Sequence, residues 1–95
     1  MGDLWTWERT GDHEWSLWGP IGGRRRLAGE VRCVLPERHP DEWDAWSCGP
    51  AGGEPGSLLE REGYESDEAG RAAVEARLIA IGVLPASATV EVERG

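Results

Sequence analysis

The stretch His39-Pro40-Asp41-Glu42-Trp43-Asp44 places an imidazole and three carboxylates within six positions. Carboxylate oxygens with an imidazole nitrogen suit a divalent cation. The spacing is not that of a calcium loop, however, and Pro40 followed by Asp41 is turn chemistry in its own right. Cys33, Cys48 and His13 would add zinc-type donors, but no CxxC or HxxxH pair anchors such a site. The expectation is no metal and no cofactor. Ser47-Cys48-Gly49, with His39 and Asp41 nearby in sequence, is the closest approach to a nucleophile and its base. Such groups work only when the fold brings them within hydrogen-bond reach, and nothing in the spacing requires that. The chain also contains no lysine, which removes Schiff-base chemistry and the phosphate-binding lysine of a P-loop. A non-enzymatic protein is expected.

Residues suited to binding are more prominent. Arg24-Arg25-Arg26 follows two glycines, so three guanidiniums on a hairpin tip could hold a phosphate or an acidic patch. Against a net charge of -8, a solvated tip is the simpler account. Six tryptophans and no phenylalanine make indole the main aromatic filling of any core. Trp15 and Trp18 are three apart, as are Trp43 and Trp46, so in regular strands one of each pair must face away from the other. Trp18 and Trp46 are therefore expected on the sheet face that a helix does not cover. There they serve as interface anchors, or they lie under the Gly/Pro-rich loop or the C-terminal segment. Asp41, Glu42 and Asp44 would add negative charge to such a surface, imitating phosphate spacing toward a basic groove, or would simply be solvated.

The elements that must position these residues follow from periodicity. Leu4 to Arg9 alternates, with Trp5 and Trp7 on one face, and Glu14 to Trp18 follows a turn at Thr10-Gly11-Asp12, which predicts a hairpin. Gly19 to Gly23 interrupts the pattern. A third strand is expected over Arg26 to Leu35, with Leu27, Gly29, Val31, Cys33 and Leu35 on one side and Arg26, Glu30 and Arg32 on the other. A short fourth strand covers Glu42 to Ser47, the loop 49–56 is rich in Gly and Pro, and Ser57 to Glu62 is a weak strand candidate. Ser66 caps a helix predicted over 67–81, with Asp67 and Glu68 in its first turn, Gly82 at its stop and Pro85 beyond. That helix has two apolar sectors. One holds Gly70, Val74, Leu78 and Ile81; the other holds Ala69, Ala72, Ala73, Ala76, Ile79 and Ala80. One stripe suffices to cover a sheet, so Ala72, Ala76 and Ile79 either tolerate water as good helix formers or meet a second copy. Residues 88–93 alternate as a last strand, with Val90 and Val92 inward.

With 95 residues the chain fits one small domain, 1–95, of class α+β. Its sheet has four to five mostly antiparallel strands, one C-terminal helix packed on it and a short final strand. The acidic charge argues against coating a nucleic-acid backbone or an anionic membrane. No apolar run reaches membrane-spanning length, and MGDLWTWERT has the character of neither a signal nor a transit peptide. A cytoplasmic protein is expected, or one in the host cytoplasm if phage-encoded. Its two cysteines are then expected as reduced, partly buried thiols rather than a disulfide. The bias toward Gly, Ala, Arg and Trp over Lys, Asn and Phe fits a GC-rich genome.

The run Gly63-Tyr64-Glu65-Ser66-Asp67-Glu68-Ala69, continuing to Val74-Glu75, resembles the strand-turn-helix junction of small bacterial ββα-repeat domains of unknown function. The whole chain is similar to small ββββα accessory proteins of phages and mobile elements. It departs from the ββα group in having a longer sheet and no second copy of the motif. The resemblance implies a non-enzymatic accessory role. Charge and tryptophan placement give that role its form: an acidic module that binds a host protein through Trp18, Trp46 and the 41–44 carboxylates. It would inhibit or modulate nucleic-acid machinery or a defence system, without touching nucleic acid or membrane itself. The other expectation is a self-associating structural or virion-associated protein, a homodimer joined through Ala72, Ala76 and Ile79.

Overall fold

A computed structural model describes residues 4–54, 56–57 and 63–93. In chain order these form β1 (Trp5–Gly11), β2 (Glu14–Ile21), β3 (Arg24–Cys33), β4 (Trp43–Ser47), β5 (Gly56–Ser57), α1 (Asp67–Ala80) and β6 (Val90–Glu93). Strands β1 to β5 make an antiparallel meander. The chain then crosses one face of the sheet as α1 and lays β6 parallel to β1, giving the order β5-β4-β3-β2-β1-β6. This is the expected α+β arrangement of antiparallel sheet, single helix and short final strand, with one parallel pair at the sheet's edge. Of the weak strand expected over Ser57 to Glu62, only Ser57 is seen, in β5; 58–62 lie outside the described residues.

Two local features shift the expected strand limits. Gly22 and Gly23 have φ of 62° and 79°, the conformation of a two-residue hairpin turn whose twist matches its strands. Pairing therefore continues to the turn, and β2 reaches Ile21 while β3 begins at Arg24. The second feature is a bulge. Leu17 pairs with Gly29 but Trp18 pairs with Leu27, so Ala28 is an extra residue in β3. The extra residue moves Leu27 off the face of Gly29 and Val31 and sets it opposite Trp18, contrary to simple alternation. Leu35, also expected on the inner side, lies beyond β3 and is 54% exposed.

The core lies between α1 and the sheet. Trp5, Trp7, Trp15, Leu17, Ile21, Val31, Cys33, Trp43 and Ala45 meet Val74 and Leu78 of the helix and Leu84 beyond it. Four of the six indoles are thus buried inside, replacing the phenylalanines the chain lacks. The helix packs its Gly70-Val74-Leu78 stripe onto β3 and β4. Its start is capped by Ser66, whose Oγ accepts from the Ala69 amide at 3.1 Å. It ends at Ala80 with Ile81 as cap and Gly82 at φ 79°, one residue short of the predicted limit.

Because α1 sits over β3 and β4, its flank overhangs β1 and β2. Arg71 and Glu75 on this flank reach the indoles of Trp15 and Trp7. The Arg71 guanidinium lies 4.5 Å from the centre of the Trp15 ring, and its Nη2 is 3.2 Å from Asp67 Oδ2. Trp7 donates through Nε1 to Glu75 Oε2 at 3.4 Å. No helix among the described residues is long and apolar enough to cross a membrane.

Candidate interaction surface

Alternation along the strands carries Thr6, Glu8, Ser16, Trp18, Glu30, Arg32, Asp44 and Trp46 to the face opposite α1. Trp46 is half-buried and directly opposite Glu30, and Asp44 is directly opposite Arg32. With Val34, which is 58% exposed, these residues line a shallow hollow of about 210 Å³. Arg32 also reaches Glu14 at 3.3 Å and Glu30 at 3.5 Å. One indole is therefore bordered by a tethered row of alternating charge.

Trp18 is the second indole of this face. It pairs with Thr6 of β1 and Leu27 of β3 and is half-buried. Its Nε1 is shielded from solvent and has no hydrogen-bond partner among the described residues. Thr6 and Ser16 are buried although they face away from the helix. Their register partners explain this: Trp18 stands opposite Thr6, and Glu8 and Glu30 stand opposite Ser16.

The other residues singled out in sequence are distributed elsewhere. Asp41 and Glu42 are exposed in the loop before β4, where His39 Nδ1 lies 3.6 Å from Glu42 Oε1. Arg24, Arg25 and Arg26 are exposed but belong to β3, not to a free tip, and pair with Ile21, Pro20 and Gly19. Alternation sends Arg25 to the face opposite Arg24 and Arg26, so the three guanidiniums leave the strand in two directions. Arg25 Nη1 donates to the Leu4 carbonyl at 3.3 Å. Six residues of strand, roughly 20 Å, separate Arg26 from Arg32. On α1, Ala72, Ala76 and Ile79 form an outward face, with Ile79 42% exposed.

Both cysteines are buried free thiols. Cys33 faces Trp43 in register and Cys48 follows β4, so five residues, roughly 16 Å, lie between them along the sheet, too far for a disulfide. Burial raises the pKa of each, and for Cys33 the charges of Asp44, Glu42 and Asp41 raise it further. Cys33 Sγ donates to the His39 carbonyl at 3.3 Å. Ser47 and Cys48 lie at one end of β4, while His39 and Asp41 lie before its other end, so this nucleophile and base are not brought together. Among the described residues no three His, Cys, Asp or Glu side chains form a group that could hold a metal ion.

Alternation along the third strand puts Glu30 and Arg32 on its outer face but does not connect them to Trp46. Their connection depends on the register of β3 against β4, which periodicity within one strand does not contain. The chain matches no known protein family, no curated protein and no solved structure.

Proposed function

We propose that this chain is a protein-binding module that acts by occupying a surface of a partner protein, with the helix-free sheet face as its contact surface. The observation that carries this reading is Trp46, half-buried opposite Glu30 in a hollow bordered by Arg32, Asp44 and Val34. An aromatic anchor with a charged surround is the usual anatomy of an interface hot spot. Trp18 extends the anchor toward β2, and Asp41 and Glu42 extend the negative rim. Arg24, Arg25 and Arg26 stand at the far end of β3 as outlying contacts.

The partner is a host protein, and the net charge of -8 favours one with a basic surface, such as nucleic-acid machinery or a defence component. A phage or mobile-element source, a host-cytoplasmic location and an inhibitory or anti-defence role rest on the sequence resemblance and the composition. A binding rather than catalytic role is supported by the separation of Ser47 and Cys48 from His39 and Asp41.

Affinity capture from a lysate of a GC-rich host, washed at rising salt, tests the reading when wild type and Trp46→Ser are run in parallel. The expected result is one protein retained by wild type and lost with the variant. Equal retention by both contradicts it. The second reading, self-association, is favoured by the exposed Ala72, Ala76 and Ile79 face of α1. Light scattering decides it: an oligomer that Ile79→Glu converts to monomer supports that reading, and a wild-type monomer removes it.

A further inference from the structure

We propose that the free edge of β6 is a strand-addition site for an extended basic segment of a partner protein. Among the described residues, strand β6 is bonded to β1 on one side and to no strand on the other. Alternate residues of Val90–Glu93 therefore direct both N–H and C=O away from the sheet, ready to pair with another strand.

The side chains of this edge specify what it accepts. Glu91 and Glu93 share the face of Thr6 and Glu8, and Glu93 is the direct register partner of Glu8. Among the described residues none of these three carboxylates has an ion-pair partner. Like charges directly opposite one another are unfavourable, and an added strand with Arg or Lys on this face would offset that repulsion. On the helix side, Val90 is half-buried and Val92 is 41% exposed, so the added strand would carry apolar residues at alternate positions there. The recognised pattern is basic-apolar-basic-apolar.

A second feature extends the edge. A cleft of about 870 Å³ opens where β6 begins, lined by Leu4, Trp5, Pro20, Val83, Pro85 and Ala88. A segment of roughly six residues spans about 20 Å, so it can pair with β6 and place one apolar side chain in this cleft. A second copy of this chain is the wrong occupant, because β6 against β6 sets two pairs of glutamates on the same face. Glu91 and Glu93 share the sheet face of Trp18 and Trp46, but β6 lies four strands from Trp46, and the site does not rest on that indole.

The test uses two eight-residue peptides, one alternating Arg and Val and one alternating Glu and Val, with amide hydrogen exchange and amide chemical shifts as readouts. The Arg/Val peptide is expected to slow exchange at residues 90–93 and to move their resonances. Glu91→Gln with Glu93→Gln weakens its binding. Glu91→Arg with Glu93→Arg weakens it about tenfold and transfers preference to the Glu/Val peptide. Trp46→Ser leaves it unchanged. The proposal is overturned if the peptide leaves β6 exchange unaltered, if charge reversal leaves affinity unaltered, or if β6 is already protected in a dimer seen by light scattering.

Discussion

Val74 of α1 occupies the space that a side chain at Gly29 of β3 would need: its Cγ1 stands 2.6 Å from where a β-carbon on Gly29 would lie. The carbonyl oxygen of Trp46 closes the same space at 2.8 Å. One helical turn earlier the roles reverse, and Val31 Cγ1 stands 2.7 Å from a β-carbon position on Gly70. Helix and sheet thus interlock through two valines seated on two glycines. The same contact holds the backbone at Trp46, whose side chain points out on the opposite face.

This interlock predicts the order of three substitutions. Gly29→Ala costs about 1–3 kcal/mol, because one of the crowding atoms is backbone and cannot turn away. Gly70→Ala costs less, because about 1 kcal/mol of helix propensity offsets the crowding of Val31. Val74→Ala costs roughly 1–3 kcal/mol through lost packing. Combining Gly29→Ala with Val74→Ala costs less than their sum, since the second removes what the first collides with. Urea unfolding of the four variants measures this, and strict additivity would contradict the interlock.

Arg71 ties the first turns of the helix to Trp15. Arg71→Met keeps most of the apolar stem and removes the charge over the ring, with an expected loss of about 1 kcal/mol. The Nε of Arg71 is enclosed without a hydrogen-bond partner among the described residues, which limits the loss. Thermal unfolding checks the value, and Asp67→Asn is expected to cost less than Arg71→Met.

Burial of Cys33 sets a pH dependence. Its thiol is held above the ordinary value of 9.0, first by burial and then by Asp44, Glu42 and Asp41. The unfolded chain loses this proton at lower pH than the folded one. The stabilisation is therefore complete below the ordinary thiol pKa and declines as pH rises past it toward the folded value. Cys33→Ala removes the titrating group, so the stability gap between wild type and this variant narrows between about pH 7 and about pH 10. A gap that stays constant would show that the thiol ionises equally well in both states.

Much of this arrangement is legible in the residues, for identifiable reasons. Alternation alone sets Trp5 and Trp7 together, Trp15 with Leu17, and Trp18 and Trp46 on the far side. Ser66 and Gly82 mark the ends of the helix because capping is local chemistry. What is not legible depends on pairing between distant segments. Ala28 becomes a bulge only against β2, and that moves Leu27 to the other face. The parallel docking of β6 on β1 is set by where the helix delivers the chain. Glu30 and Arg32 meet Trp46 only through the register of β3 with β4, and Arg71 and Glu75 find indoles because α1 sits off centre.

The proposed contact surface is tested most directly by the six indole N–H resonances of the labelled protein, recorded while the protein captured from lysate is added. The signals of Trp18 and Trp46 are predicted to shift or broaden strongly, while those of Trp5, Trp7, Trp15 and Trp43, buried beneath the helix, change little. Binding that leaves Trp18 and Trp46 unmoved, and instead perturbs the amides of Ala72, Ala76 and Ile79, would contradict the assignment of the helix-free face.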